Sequence, residues 1–366
     1  MKILIIRLGA IGDIVRTLPA VKFLHEKIYE TKAEIHWIAE SHNADVLYDL
    51  PYIKKVISLP RKEWQSKIFS TSCLKVISNF HNIIKELKKE NYDIAVDFHG
   101  IFKSGLLSYL SNASIRLGYE KKHCKEFNYI FNNFHIPVSK IKISRYEKNF
   151  TLLSYFKKNI ILSDAACLNI FEITEKEKRS VDQILSVISR TTGIISPILI
   201  GIQPAVSVFG RNKEWNEKKY SELCGYIIRE IKNSVIVFNW WGESEYEKIG
   251  RIINQSTLSE QEKKRIALIP KLSFRERADF FSRLAVFITP DTGPMYIASL
   301  AGTFVLALFG PSDPVLYEPY GENHYILSKN VDCSPCRNRS CKNLKCMDMI
   351  ESKYVFNKLK EILKNN

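Results

Sequence analysis

Two α/β domains, each a Rossmann-like doubly wound parallel sheet, are what this 366-residue sequence predicts. Three observations lead there. The chain is too long for one ordinary core and suits two domains of roughly 150 to 180 residues. Short β-branched runs alternate with longer stretches of helical periodicity, the pattern of parallel strands joined by crossover helices. The series also starts twice, at the N-terminus and again near residue 198, each time with a strand running into a polar or glycine-bearing loop.

In the first half, "KILIIR" (2–7), "EIHWIA" (34–39), "KVISL" (55–59) and "DIAVDF" (93–98) read as strands with helices between them. From 175 to about 191, "EKEKRSVDQILSVISR" repeats apolar residues at helical spacing, and "TTGIISP" then breaks the pattern, which places the domain boundary here. A second series follows: "ILIGIQ" (198–203), "SVIVFNW" (234–240), "RIALIP" (265–270), "AVFITP" (285–290) and "TFVLALFG" (303–310). The expected division is a domain over 1–170, a linker over 171–197, a domain over 198–348 and a C-terminal helix over 349–366, read from "KYVFNKLKEILKN". Ligands of such sheets sit beyond the carboxyl ends of the strands, so two domains facing a central cleft would place the site there.

Apolar residues make up 45% of the chain and charged residues 25%, with 15 Gly and 13 Pro, which fits a globular protein and not a disordered one. Only Ile3 to Ile6 are apolar between Lys2 and Arg7, too few for a signal-peptide core, and no stretch of about 18 apolar residues occurs. A cytoplasmic chain without a membrane span is therefore expected. The net charge of +15 is uneven, with +10 in residues 1–165. Nucleic acid, anionic lipid headgroups and phosphorylated substrates are attracted alike by such a field, and Lys85, Lys88 and Lys89 also suit a plain solvated helix face. A nucleic-acid-binding module would interleave basic and aromatic residues on one face; no such motif occurs, so a small ligand is favoured and no nucleic acid is expected.

The first loop, "RLGAIGDIVRTLPAV" (7–21), puts Gly9 and Gly12 between a strand and a helix. A dinucleotide fingerprint needs a third glycine where Arg7 stands, and Glu40 lies well beyond the usual spacing for a ribose-binding acid, which speaks against an NAD-linked dehydrogenase. Asp13 would itself compete with pyrophosphate for the helix N-terminus. An ionised carboxylate at a strand end is what a general base requires, although capping the helix would use it equally well.

In the second half, "TPDTGPMYIASLAG" (289–302) runs into a tight turn and a helix. Asp291 and Thr292 are suited to cap that helix, and Gly293 leaves the backbone open to a phosphate or to an ordinary turn. Lys213 in "FGRNKEWNEKKY" (209–220) could neutralise a diphosphate or lie on the surface. Glu243, Glu245 and Glu247 in "NWWGESEYEK" (239–248) could hold ribose hydroxyls. Cys73, Cys124, Cys167 and Cys224 are scattered and suit inert thiols, whereas Cys333, Cys336, Cys341 and Cys346 follow C-x2-C-x4-C-x4-C, which admits a structural zinc without matching its common paired spacing.

Taken together, "RLGAIGDIVRTLPA", "YDIAVDFHGIFKSGLL", "RNKEW", "WWGESEYE" and "TPDTGPMYIASLAGTFVLALFGPSDP" resemble, in order and over almost the whole chain, glycosyltransferase family 9, the lipopolysaccharide heptosyltransferases. The resemblance implies a GT-B fold and an inverting transfer of heptose from ADP-heptose to the Kdo-lipid A inner core. It implies no metal and no cofactor, at the cytoplasmic face of the inner membrane with peripheral contact to it. Another nucleotide sugar or an already heptosylated acceptor fits the same motifs.

Carried onto this sequence, the family's catalytic aspartate matches Asp13 in its glycine turn, and its phosphate-binding lysine matches Lys213. Asp291, Thr292 and Gly293 match residues around the nucleotide and donor sugar, Glu245 falls in the ribose-side segment, and Arg61, Lys62 and Lys103 match the basic acceptor side. Tyr296 stands where the family's "DTG-x-x-H" often ends in histidine, and Ser144 where its "H-x-x-E-R" segment often begins with one. A cysteine-rich segment like 333–346 occurs in many members whose chemistry is metal-free.

Overall fold

The computed structural model describes residues 1–67, 73–139, 142–166, 168–336 and 338–365; Cys167 lies outside them. The chain divides into two compact units, Met1–Glu172 and Ile173–Asn366.

The first unit holds β1 (Lys2–Ile6), β2 (Glu34–Glu40), β3 (Lys55–Leu59), β4 (Ile94–Asp97), β5 (Ile115–Tyr119) and β6 (Phe134–Ile136). They pair in the order β3-β2-β1-β4-β5-β6, and every pairing is parallel. The second holds β7 (Ile198–Ile202), β8 (Ser234–Phe238), β9 (Ile266–Leu268), β10 (Val286–Pro290), β11 (Val305–Phe309) and β12 (His324–Ser328). Its order, β12-β11-β10-β7-β8-β9, repeats that of the first sheet and is parallel throughout. Central strands buried on both faces read as continuous apolar runs, and β1, β7, β8, β10 and β11 do so.

The nine expected strands are present, with ends within a residue or two of the reading. Three further strands escaped the reading. β5 carries Arg116 and Gly118, which break an apolar run, β6 is three residues long, and β12 is an edge strand with an exposed Tyr325.

Within the segment read as a linker, Glu175–Thr192 is a helix packed on the helix Phe274–Ser282 of the second unit. Arg275 lies 3.6 Å from Glu177, and Arg283 lies 3.3 Å from Asp182. The C-terminal helix Ser352–Asn365 packs on the helix Glu217–Glu230, buries Val355, Phe356 and Leu359, and brings Lys353 and Lys360 to Glu230 at 2.9 and 3.1 Å.

Candidate active site

Each sheet reverses its strand order at one place, between β1 and β4 in the first unit and between β7 and β10 in the second. The crevice beyond the carboxyl ends of the strands at such a point is where doubly wound sheets bind ligands.

In the first unit, β1 delivers Arg7, and the chain turns through Leu8, Gly9 and Ala10 into the helix Ile11–Phe23. A Cβ on Gly9 would collide with the Asn43 amide, so this tight approach requires glycine. Gly12 and Asp13 lie in the first helical turn, and no side chain caps this terminus. The Asp13 carboxylate is taken by two arginines: Arg7 Nη2 lies 2.9 Å from Oδ2, and Arg16 Nη2, one turn along the same helix face, donates to Oδ1. Arg7 is fixed from the other side, its Nη1 donating to the Phe98 carbonyl at 2.5 Å. Burial alone would raise the Asp13 carboxyl, but Arg7 and Arg16 outweigh it and hold the group well below the usual carboxylate range. The side chain keeps 29% of its surface exposed.

β4 ends in Asp97, a buried carboxylate that organises the adjoining loop. Its Oδ1 accepts from the N–H groups of His99 and Gly100 at 2.9 and 3.0 Å. Its Oδ2 accepts from Ser104 Oγ at 2.9 Å and Asn128 Nδ2 at 2.6 Å. Burial pushes the Asp97 carboxyl up against these four donors. Gly100 takes a φ of +72°, which a side chain would strain. This brace sets two groups: His99, whose Nδ1 accepts the Leu8 N–H at 3.3 Å, and Lys103, exposed on the first turn of the helix Phe102–Leu110. Burial, with Arg7 beside it, pushes His99 down to about 3, so the imidazole is neutral.

Arg61 opens the helix Arg61–Lys67 and pairs with Glu40 Oε1 at 2.5 Å, at the carboxyl end of β2. Lys62 beside it is exposed. Arg61 and Lys103 both act electrostatically on His99, and Lys62 on His42. Ser144 is buried and caps the helix Arg145–Leu152: its Oγ accepts the Glu147 N–H at 3.1 Å, and the Glu147 carboxylate accepts the Ser144 N–H at 3.1 Å. This reciprocal cap gives Ser144 a local structural role.

In the second unit, the loop after β7 carries Lys213 to the end of β10, where its Nζ lies 2.5 Å from Asp291 Oδ2. Ser312 Oγ donates to the same oxygen at 2.5 Å, and Tyr296 OH to Oδ1 at 2.7 Å. Burial would raise the Asp291 carboxyl, but Lys213 and the two hydroxyls bring it below its ordinary value. The expectation that Asp291 and Thr292 cap the following helix is corrected here. Asp291 turns to Lys213 instead, and Thr292, although in the N-cap position, makes no side-chain cap bond. The helix Gly293–Leu300 therefore starts without a side-chain cap. Of the three acids after β8, Glu243 and Glu247 are exposed, while Glu245 is half-buried and accepts the Trp241 N–H at 3.0 Å. Burial pushes Glu245 up.

The reading from sequence missed Arg16, Asp97, His99 and Ser312. Arg16 was recoverable from its spacing of three from Asp13 on a helix, and Asp97 and His99 from their place at a strand end. Ser312 stands in the quoted block 289–314, but nothing local ties it to its partner 21 residues away.

The four clustered cysteines are free thiols, Cys346 buried and Cys333 exposed. Among the described residues, no three of them bring sulfur atoms within 4.8 Å of one another. Among the described residues the group that does converge is Glu34, His36 and Glu90. Its atoms are already engaged: His36 Nδ1 with Tyr92 OH at 2.9 Å, His36 Nε2 with Glu34 at 2.8 Å, and Glu90 with Lys2 and Lys55 at 2.7 and 2.8 Å. Glu34 and His36 stand in the first half of β2, and Glu90 follows the helix Cys73–Lys89 ahead of β4, so the group lies at the end of the sheet away from Asp13.

Comparison with known proteins agrees with this architecture. The family model of glycosyltransferase family 9 (heptosyltransferase) matches residues 80–347. The chain is 28% identical to lipopolysaccharide heptosyltransferase 1 of Campylobacter coli over 85% of this chain and 84% of that protein. It is 22% identical to the lipopolysaccharide core heptosyltransferase OpsX of Haemophilus influenzae, over 88% and 83%. Among solved structures, E. coli heptosyltransferase WaaC with ADP superposes with a TM-score of 0.73 at 18% identity, covering 99% of this chain and all of that one. A family 9 glycosyl transferase from Veillonella parvula gives 0.76 at 20% identity, covering 100% and 98%. The two six-stranded sheets are those of the GT-B fold, and the chain belongs to glycosyltransferase family 9, the heptosyltransferases.

Proposed function

We propose that this glycosyltransferase moves heptose from ADP-heptose to the Kdo-lipid A inner core of lipopolysaccharide, with inversion, without a metal ion, and with Asp13 as the general base. The observation that carries this reading is the ionised Asp13 in a glycine turn at the first sheet's switch point, where cations gather around it and no side chain caps the helix.

On this reading an acceptor hydroxyl oxygen bonds to the anomeric carbon as the bond from that carbon to the β-phosphate oxygen breaks. The hydroxyl proton passes to Asp13, and ADP leaves from the opposite face. Lys213 and the uncapped start of the helix Gly293–Leu300 stabilise charge growing on the diphosphate. Glu245 accepts from the ribose hydroxyls, while Asp291, Thr292 and Tyr296 line the donor side.

Two arginines lower the proton affinity of Asp13, which opposes its use as a base. The acceptor supplies the remedy. Kdo carboxylates and lipid A phosphates compete for Arg7 and Arg16, and as these cations turn to the acceptor, Asp13 regains basicity. Arg61, Lys62 and Lys103 add to the attraction. The +10 carried by residues 1–165 suits an anionic, lipid-linked acceptor at the cytoplasmic face of the inner membrane, with peripheral contact only. Among the described residues no helix is long and apolar enough to cross a membrane.

The test is ADP release from ADP-heptose with Kdo-lipid A as acceptor, in buffer containing EDTA. Acceptor-dependent release that Asp13→Asn abolishes supports the proposal. A folded wild-type protein that releases no ADP refutes the donor and acceptor assignment.

A further inference from the structure

Beside Glu245, at the carboxyl ends of β7 and β8, lies a buried charge that the proposed reaction does not use. Arg277, in the second turn of the helix Phe274–Ser282, is 4% exposed. Its Nη1 donates to Asn239 Oδ1; Asn239 Nδ2 donates to Gln203 Oε1, and Gln203 Nε2 donates to the Ala205 carbonyl at 2.8 Å. Asn239 and Gln203 are themselves buried at the ends of their strands. The guanidinium lies over the Trp241 ring, 4.2 Å from its centroid, while Trp241 remains 48% exposed.

This network leaves the guanidinium undersatisfied. Its Nε is buried with no hydrogen-bond partner, and among the described residues no carboxylate pairs with it. Glu245 acts on it electrostatically from beyond ion-pair distance, accepts the Trp241 N–H and also bonds the Gln203 side chain of the same network. Burial lowers Arg277 to about 10, so it stays charged at neutral pH. An aliphatic side chain would pack against Trp241 without the penalty of a buried, unneutralised cation. Such a cation can take an acceptor from outside the chain.

We propose that Arg277 is a nucleoside-binding residue. With Trp241 and Glu245 it forms a seat for the ribose and base of the donor nucleotide, Arg277 donating to a ring nitrogen or carbonyl oxygen of the base while the base stacks against the exposed part of Trp241. The inference rests on the donor reading above and adds to it the residue that recognises the nucleoside, separate from the diphosphate at Lys213. A guanidinium offers a planar fork of donors, which suits the planar acceptors of a nucleobase edge, and an exposed indole is a stacking platform for any base.

Calorimetric titration of the full chain with ADP and with inorganic pyrophosphate tests it. Arg277→Met keeps an apolar stem over Trp241 and removes the donors. Its ADP dissociation constant should rise about 10- to 100-fold, the range of a hydrogen bond made by a charged group, with pyrophosphate binding unchanged. Arg277→Lys should fall between. Unchanged ADP affinity in the folded Met variant overturns the inference, and so does an equal loss for both ligands, which would mark a structural role. If Arg277→Met fails to fold, Trp241→Leu on the exposed side gives the same readout. A wild type that binds pyrophosphate but not ADP overturns the nucleoside seat alone, whereas binding of neither overturns the donor reading itself.

Discussion

Replacing Asp13 with asparagine keeps the shape of the side chain and removes its charge, so the variant separates the chemistry assigned to this carboxylate from its part in the fold. A positioned general base is worth about 10²- to 10⁴-fold in rate, and turnover at saturating donor and acceptor should fall by that amount. Stability will fall as well, for a reason visible in the ion pairs. Arg16, with 6% of its side chain exposed, and Arg7, at 13%, are left to share one neutral amide oxygen where each had a carboxylate oxygen, beside Arg7's bond to the Phe98 carbonyl. Removing one member of a fully buried pair costs about 3 to 5 kcal/mol. Asp13 is 29% exposed and solvent screens part of the loss, so about 1 to 3 kcal/mol is expected here.

For a unit of this size each kcal/mol lowers the melting temperature by about 2 to 4 °C, a shift that thermal denaturation resolves easily. The variant should therefore remain folded at assay temperature and bind ADP as the wild type does, because the donor residues belong to the other unit. The pair's contribution is also pH-dependent. The folded carboxyl sits below its unfolded value of about 3.9, so the stabilisation is complete at neutral pH and is lost only as acid carries the solution below that value. At neutral pH the penalty of the Asn variant should be constant. Turnover within tenfold of wild type in folded Asp13→Asn would refute the general-base assignment, and so would a parallel loss of ADP affinity.

The basic acceptor side divides on inspection. Lys62→Ala should raise acceptor KM, more at low salt than at high, with no change in melting temperature. Arg61→Ala should raise KM and also destabilise the first unit, because Glu40 loses its 2.5 Å partner and, among the described residues, is left with His42 at 3.7 Å; a KM insensitive to salt would argue against an anionic acceptor. Lys213→Ala should weaken ADP and pyrophosphate alike and lower kcat, and retained pyrophosphate affinity would remove the lysine from the diphosphate site. His99, neutral in the folded protein and pushed down to about 3, binds its proton more readily once unfolded. Stability should fall as pH drops below about 6.5, and His99→Gln, followed by melting temperature against pH, should flatten that slope; an unchanged slope would show that His99 is not its source.

Periodicity made the sheets legible because strands buried on both faces carry near-continuous apolar runs, as β1 does over Ile3–Ile6 and β11 throughout. It failed at β5 and β6, where Arg116, Gly118 and a three-residue strand leave no run to see. Candidate site residues next to strand ends were legible for a related reason: the chain must turn there, and Gly9, Asp13, Lys213 and Asp291 stand in or beside those turns. What could not be read was pairing across distance. Asp291 looked like a helix cap because caps are local, whereas its actual partners are 78, 21 and 5 residues away. Arg277 drew no reading from the sequence, since nothing in "LSFRERADFF" indicates that one of its two arginines meets the buried Asn239.

The pairing at Asp291 bears on how Lys213 would be released to a diphosphate, if it acts as proposed. On the proposed reading Lys213 turns to a phosphate by leaving a carboxylate that is only 4% exposed. Abandoned alone, that carboxylate would oppose ligand binding by the cost of an unpaired buried charge. Tyr296 and Ser312 remove the obstacle, because each carboxylate oxygen keeps a hydroxyl donor after the lysine departs. Their bonds to Asp291 should therefore matter more with the nucleotide bound than without it. Tyr296→Phe deletes one of them and leaves the ring in place, so Asp291 would hold Lys213 harder and the ADP dissociation constant should rise. A hydrogen bond to a charged group contributes about 1.5 to 3 kcal/mol in full, and only the difference between bound and free states counts, so about 3- to 10-fold is expected, with pyrophosphate affected equally. The same titrations used for Arg277 read this out, and the two variants should differ: Arg277→Met discriminates between ADP and pyrophosphate, and Tyr296→Phe does not. Tighter or unchanged ADP binding by Tyr296→Phe would mean that Asp291 does not compete with the ligand for Lys213, and the lysine would then have to reach the phosphates while still paired.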